Sequence, residues 1–456
     1  MTLIMKFGGT SVGDAARIRQ VCSLIAARRA RQPVVVVSAL AGVTSRLLLA
    51  CECALRRDET QVAAHLSWID ERHREVIAGL ELPTDQRRAC LDALDASLEL
   101  VAELTRGIAL LSESTPRARD TVAAQGELIS HVIVAAALEA QGVPALAVDP
   151  RQILRTDERF GAAEVDRDTT RELAQKCLAD VAARGIVPIT GGYVGATSLG
   201  IVTTLGRGGG DLSATHLAAA IDAEEVEIWT DVDGILTADP RVVPTARTLA
   251  RVSFQEAAEL AYFGAKVLHP ATIRPAVERQ IPVRVLNTMA PERPGTVIGD
   301  GDPSHPPGES FVRAVAWRTG IATVSVSSPR MLGASGFLAR VFTAFERRGI
   351  AVDVVTTSEV SVSMTVDRTE GLDALAAELM TFCEVRVERG LSLVCLVGHD
   401  LLESPKLVSE VLAVLDPIPL RMFCLGSSDV NLTFVVREGD AEDVVRRLHA
   451  RFLEAT

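Results

Sequence analysis

The fold class that the sequence predicts is an α/β domain with a mainly parallel central sheet, followed by two compact α+β modules. Three observations carry this expectation. Over the first half of the chain, short β-branched runs alternate with longer segments rich in Ala, Leu, Arg and Glu, and strands alternating with helices build parallel sheets. Near residue 290 the composition breaks into "APERPGTVIGDGDPSHPPGES", a proline- and glycine-rich stretch that reads as a linker or domain edge. Beyond it lie two shorter strand–helix cycles of related texture. At 456 residues the chain is long for one hydrophobic core, which favours two or three domains. The expected boundaries are 1–290, a linker or edge at 291–312, and modules at 313–390 and 391–456, with strands exchangeable between the modules.

In chain order, strands are expected at Thr2–Phe7, Val34–Ser38, Gly185–Thr190 and Val226–Thr230, where β-branched side chains suit a pleated, buried surface. Helices are expected at Asp14–Ala30, Thr121–Ala140 and Asp168–Ala183, and at Asp211–Ala220, which opens directly after three glycines. The first C-terminal cycle reads as strand Ala322–Ser327, helix Gly336–Arg348, and strands Val352–Thr356 and Val360–Val366. The second reads as strand Leu391–Val397, helix Leu407–Val414, strands Leu420–Leu425 and Asn431–Val436, and helix Ala441–Leu453. Neither cycle holds a series of catalytic groups, so both read as binding or regulatory modules.

Composition excludes several classes. Apolar residues at 48% and charged residues at 23% are ordinary for a globular protein, and aromatics at 4% leave packing to Leu, Val, Ile and Ala. A formal charge of −12 argues against nucleic-acid or acidic-membrane binding, though not against a small anion held by local positive groups. Of eight cysteines only Cys51 and Cys53 lie close together, which is no zinc pattern; reduced, partly buried thiols are expected. No basic segment followed by an apolar core opens the sequence, and no uninterrupted apolar run spans a bilayer, so a cytoplasmic location is expected.

The chemistry concentrates in four stretches. In "TTLGRGGGD" (203–211), successive glycines can turn several backbone N–H groups into one concavity at the start of a helix, with Arg207 adding a five-donor fork for carboxylate or phosphate. The same residues also suit a tight turn with a surface arginine. "MKFGGTS" carries Lys6 off a strand onto Gly8, Gly9, Thr10 and Ser11; a lysine there can neutralise a transferring phosphoryl group, or simply be solvated. "IWTDVDGILTADPR" (228–241) spaces Asp231, Asp233 and Asp239 along a polar loop, suited to Mg²⁺ or nucleotide hydroxyls, or to solvent alone. "FGAKVLHP" offers Lys266 and His269. None is a Walker phosphate loop.

Taken together, these stretches resemble the aspartate kinases of the monofunctional, lysine-sensitive type. Lys6–Ser11, "VVSALAGVT" (36–44), "GE" (126–127), "TTLGRGG.D", "WTDVDGI.TADPR" and "FGAKVLHP" match that family's segments in order, and "SGFLARVF" (335–342) with "VDVVTTSEVSVS" (352–363) resembles its lysine-sensing module. The resemblance implies an amino-acid-kinase-type domain followed by two ferredoxin-like ACT modules. It implies transfer of the ATP γ-phosphoryl to L-aspartate, giving 4-phospho-L-aspartate, the first step toward lysine, threonine and methionine.

By the same resemblance Lys6, Arg207 and Asp211 are catalytic. Ser38, Thr44, Glu127, Tyr193 and Arg207 hold aspartate, with Glu127 taking the ammonium and Arg207 the α-carboxylate. Lys6, Gly8, Gly9, Thr230, Asp231, Leu236, Arg241 and Lys266 hold ATP, with Mg²⁺ carried by its phosphates and no protein-held metal. Met331, Phe337, Leu338, Val352, Asp353, Ser358 and Glu359 form the allosteric lysine site, and the ACT modules associate as a homodimer, with larger assemblies left open.

The sequence departs from the family at Gly210, where serine is usual, at Leu236, where an aromatic is common near the adenine, and at Gly333 and Ala334, where polar residues are frequent. A kinase acting on glutamate or a carbamate, and a catalytically impaired amino-acid sensor, are the alternatives these motifs leave open.

Overall fold

The computed structural model describes residues 2–263, 270–299, 311–331, 335–404, 406–426 and 428–454. Lys266, His269, Gly333, Ala334 and part of the expected linker lie outside them. The chain forms two compact units: Met1–Ile235 with Ala250–Phe254 and Val267–Gly301, and Leu236–Leu249 with Gln255–Lys266 and Asp302–Thr456.

The first unit is built on strands β1 (Leu3–Phe7), β2 (Pro33–Val37), β3 (Ala145–Val148), β4 (Val187–Gly191), β5 (Val194–Ala196), β6 (Val202–Thr204), β7 (Glu225–Thr230), β8 (Arg251–Ser253), β9 (Val283–Asn287) and β10 (Thr296–Gly299). Eight of them form one sheet in the order β3-β4-β2-β1-β7-β9-β10-β8; β5 and β6 make a separate two-stranded ribbon. All neighbours in the sheet run parallel except β9 and β10. The strand order reverses direction at β1, with β2 on one side and β7 on the other, and in parallel sheets ligands bind beyond the carboxyl ends of the strands at such a switch point.

The helices of this unit are α1 (Ala15–Ala27), α2 (Val43–Leu55), α3 (Glu59–Gly79), α4 (Thr84–Leu111), α5 (Pro116–Ala140), α6 (Arg167–Ala174), α7 (Asp180–Ala183) and α8 (Gly209–Ala220). Their starts are written locally. Asp14 accepts the Arg17 N–H at 2.9 Å to cap α1, and Thr115 accepts the Ala118 N–H at 3.2 Å to cap α5, whose first position is Pro116. The expected helix Asp168–Ala183 is interrupted by a π-turn, Gln175–Ala179, between α6 and α7. One core joins α1 to α5 with β1 and β2, through Met5, Phe7, Val35, Val37, Ile69, Leu94 and Ile133. Helix α5 is long and apolar enough to cross a membrane by composition, yet it is largely buried in this core and carries buried Asp120 and Glu127.

Helix α9 (Phe254–Phe263) follows β8 and α10 (Pro270–Glu278) precedes β9. The second unit contains β11 (Phe311–Ser327), α11 (Phe337–Arg347), β12 (Val355–Thr357), β13 (Ser361–Val366), α12 (Leu372–Leu379), β14 (Glu384–His399), α13 (Leu407–Leu415), β15 (Met422–Cys424), β16 (Asn431–Arg437) and α14 (Ala441–His449). The expected C-terminal elements are therefore present, but the two modules share one six-stranded antiparallel sheet, β12-β13-β11-β14-β16-β15.

Boundaries at 313 and 390 fall inside β11 and β14. The first half of β11 contributes Val315 to the core under α13 and α14, with Leu396, Phe434 and Leu448. The second half contributes Val324 and Val326 to the core under α11 and α12, with Phe345 and Leu375. Between the halves the register shifts from Arg318 to Ile321, and Gly320 and Gly390 take positive φ (72° and 71°), a backbone open to glycine without strain.

The first unit is also not the continuous 1–290. Ala238, Val242 and Val243 bury their side chains in the α13–α14 core, and Thr237 accepts the Val315 N–H at 2.8 Å through its carbonyl while its hydroxyl meets His449 Nε2 at 2.9 Å. Apolar side chains on a loop that reads as polar draw it into the C-terminal unit.

Candidate active site

The carboxyl ends of β1, β2, β4 and β7 converge at the switch point. Lys6 pairs across the sheet with Val36 of β2 and Ile228 of β7, so its ammonium leaves the strand amid apolar neighbours. It is 9% exposed. Its Nζ stands 2.6 Å from Oδ1 of Asp211, in the first turn of α8. The following turn is fixed by backbone bonds from Gly8 N–H to Trp229 O (3.1 Å) and Ser11 N–H to Gly8 O (2.9 Å). Under it, Phe7 and Trp229 stack on adjacent strands, and the indole N–H of Trp229 donates to Glu227 at 2.9 Å.

Ser38 leaves β2 with its N–H on Phe7 O at 3.1 Å. Thr44 is half-buried in the first turn of α2. Opposite, α5 brings Glu127 into the same place. A side chain on Gly191, at the end of β4, would come within 3.1 Å of Glu127 Cβ, so that glycine permits α5 to lie against the strand. Glu127 is buried, and its Oε2 has no hydrogen-bond partner. Burial pushes its carboxyl up to about 8, against the Ala39 backbone N–H and the charge of Lys6, which both pull it down. An orphaned buried carboxylate oxygen beside a lysine is a place for a cation to bind.

The three consecutive glycines have three separate reasons. Gly208 takes φ 71° as the residue before α8. A Cβ on Gly209 would stand 2.6 Å from the Tyr193 ring, and one on Gly210 would stand 3.2 Å from both Lys6 Cε and Ser38 Oγ. Gly210 therefore holds Lys6 and Ser38 in contact with the start of α8. Gly210→Ala is expected to displace Lys6 by a few tenths of an ångström and lower kcat several-fold at little cost in stability; steady-state kinetics beside a thermal melt check this, and unchanged kcat would show that the contact is slack. Tyr193, at φ 66°, is a non-glycine residue in the left-handed region, held by its N–H to Ser213 Oγ at 2.8 Å.

Arg207 is exposed and has no hydrogen bond or ion pair among the described residues, so its guanidinium is available to a ligand. Thr230 ends β7 and donates to the exposed Asp231 at 3.2 Å. Asp233 is engaged by Asn287 and Arg293. Leu236 and Arg241 belong to the second unit, where Asp239 pairs with Arg241 at 2.5 Å. Lys6, Ser38, Glu127, Tyr193, Gly210 and Asp211 are thus brought together.

Asp120 gives no signal in the sequence, where it looks like any acidic residue near a helix start. Buried in α5, it accepts the N–H and hydroxyl of Thr204, each at 2.8 Å, and the Gly161 N–H at 2.9 Å, tying β6 to the helix just before the glycine loop. Burial pushes its carboxyl up and these three donors pull it down.

In the second unit, Met331 closes a 3₁₀ turn, Phe337 and Leu338 open α11, Val352 and Asp353 precede β12, and Ser358 and Glu359 lie in the turn between β12 and β13. Ser358 meets the Ser361 hydroxyl at 2.7 Å.

Both parts of the chain match known families. The amino acid kinase family model matches residues 1–287, and an ACT domain model matches 324–377 and 394–452. Lysine-sensitive aspartokinase 3 of Escherichia coli is 39% identical over 99% of both chains, and aspartokinase 2, chloroplastic, of Arabidopsis thaliana is 37% identical over all of this chain and 85% of that one. The crystal structure of E. coli aspartokinase III with aspartate and ADP (R-state) superposes with a TM-score of 0.85, and that with lysine and aspartate (T-state) with 0.81; each is 38% identical and covers 99% of both chains. With its parallel kinase sheet, its glycine-lined lysine and its shared regulatory sheet, the chain belongs to the amino acid kinase family, as an aspartokinase with C-terminal ACT domains.

Proposed function

We propose that the chain transfers the γ-phosphoryl group of ATP to the side-chain carboxylate of L-aspartate, giving ADP and 4-phospho-L-aspartate, under feedback inhibition by L-lysine. The observation that carries this reading is the pairing of a buried, unpartnered carboxylate oxygen on Glu127 with the Lys6–Asp211 ion pair, on one switch point. Such a site accepts a small molecule bearing both an ammonium and a carboxylate.

Aspartate's own side-chain carboxylate is the nucleophile, so no protein hydroxyl or thiol need be activated. The protein's task is to bring two anions into line. Glu127 takes the substrate ammonium, Arg207 clamps the α-carboxylate in a fork-to-fork pair, and Ser38, Thr44 and Tyr193 line the pocket. Lys6, aimed by Asp211, faces the transferring phosphoryl and offsets the charge spread over its oxygens as the bond to ADP breaks. Gly8, Gly9, Thr230 and Asp231, at the ends of β1 and β7, hold ATP. The groups at the β1 and β7 ends, a lysine, a glycine turn and an exposed aspartate, suit a nucleotide bearing its own Mg²⁺, which would supply further neutralisation of the phosphates. The lysine-binding residues act from the ACT modules, through which the chain dimerises in the cytoplasm.

The test is aspartate-dependent ADP release from MgATP, with hydroxylamine trapping the acyl phosphate, repeated with L-lysine. Hydroxamate formation suppressed by lysine is expected. Formation indifferent to lysine would remove the effector and keep the kinase; no aspartate-dependent product would overturn the reading. Arg207→Ala should raise KM for aspartate about 10–100-fold, the loss of a charged hydrogen-bonded pair.

A further inference from the structure

In the second unit, Tyr262 stands on the last turn of α9 and its hydroxyl donates to Oδ1 of Asp353. Asp353 is itself fixed, its N–H on Thr365 O at 2.9 Å. Arg318 of β11 lies over the Tyr262 ring, 5.9 Å from its centroid, and pairs with Asp367, which follows β13. Four segments thus place a hydroxyl, two carboxylates and a guanidinium together. The guanidinium is engaged by Asp367, so the hydrogen bond to Asp353 comes from a neutral donor. Burial and the nearby Asp367 push the Asp353 carboxyl up, while Tyr262 and Arg318 pull it down. A partly buried carboxylate served by a neutral hydroxyl is an incomplete site, because an ammonium donor adds the attraction of an opposite charge that the hydroxyl lacks.

We infer that Tyr262 is an internal competitor for the effector carboxylate: its hydroxyl leaves Asp353 when an ammonium-bearing amino acid binds there, and so sets the effector concentration at which the protein responds. This rests on the reading of Asp353 as a lysine-site residue. The apparent dissociation constant of a ligand rises in proportion as its competent state is depopulated, so the Tyr262 hydrogen bond raises the threshold. Helix α9 follows β8 directly in the chain, and β8 is an edge strand of the kinase sheet. The contact therefore links effector occupancy to a helix that leaves that sheet, and by reciprocity anything that moves α9 alters effector affinity.

The experiment compares the wild type with Tyr262→Phe, which keeps the ring and removes the hydroxyl. Lysine affinity is read by calorimetry, and the half-inhibitory lysine concentration by the hydroxamate assay. Both constants are expected to fall about tenfold, with lysine-free kcat and the KM for aspartate unchanged. Unchanged or weaker lysine binding in Tyr262→Phe overturns the competition. Asp353→Asn with wild-type lysine affinity overturns the site assignment instead, as does a wild type that binds no lysine. An additive Tyr262→Phe/Asp353→Asn cycle in thermal unfolding would show that the two groups are uncoupled and would likewise overturn the competition.

Discussion

Lys6→Ala should lower the rate of phosphoryl transfer at saturating substrates by about 10²–10³-fold, the loss that follows removal of one preorganised positive donor from a transition state. The expectation is specific to this position. The ammonium is held by Asp211 at 2.6 Å and flanked by the glycines that let the backbone approach. Without Lys6, Asp211 keeps its negative charge next to a polyphosphate, so the variant loses an attraction and gains a repulsion. Lys6→Ala/Asp211→Asn should accordingly recover part of the loss, since the two residues act as one unit and their effects do not add. Single-turnover measurement of ADP formation checks both. Turnover of Lys6→Ala within about threefold of wild type would sink the role assigned to the lysine.

Glu127→Gln should separate binding from stability. The amide keeps the shape but not the charge, so KM for aspartate should rise about 10–100-fold. The same change should stabilise the free protein at pH 8. Because the folded carboxyl is pushed up to about 8 from an ordinary 4.5, the protonated form is favoured by folding. Its stabilising effect is complete below pH 4.5 and is lost as pH rises through about 8. The amide of the variant does not titrate, so its thermal midpoint should fall less between pH 5 and 8 than that of the wild type.

Substrate binding has the opposite sign. The ammonium requires the carboxylate, so wild-type KM for aspartate should fall about tenfold per unit as pH rises from 6 toward 8 and then level off, a slope Glu127→Gln removes. A wild-type KM flat over that range would mean that Glu127 already binds as the anion or does not meet the ammonium.

Much of the fold is legible in the sequence because its signals are local. Val34–Ser38 and Val226–Thr230 read as strands and are β2 and β7 to within a residue, since four consecutive valines in the one and β-branched residues at every second position in the other leave few alternatives. The helix after the glycines is legible for the same reason, although it begins two residues earlier, at Gly209. The long helices α3 and α4 give no comparable signal, because their surfaces are largely polar and only a narrow stripe, including Ile69, Val76, Cys90 and Leu94, is buried. Modules at 313–390 and 391–456 with exchangeable strands leave open which strands are exchanged: β11 and β14 each run through both cores, a pairing between residues roughly 70 positions apart that no local pattern records.

What the sequence determined by itself was the chemical inventory. A lysine on a glycine-lined strand end, an arginine among glycines, a mid-helix glutamate and a loop of aspartates are residue types whose chemistry is set before folding. What only the tertiary structure decided was their environment. Glu127 looks like an ordinary helix residue until α5 is pressed against Gly191, where burial leaves one oxygen unpaired and lifts its proton affinity. Lys6 and Asp211, far apart in the chain, become a pair only because β1 and α8 meet at the switch point. Asp353 receives Tyr262 only because α9 packs within the second unit. Desolvation and long-range contact depend on what the rest of the chain brings alongside a residue, and neither is written in its immediate neighbours.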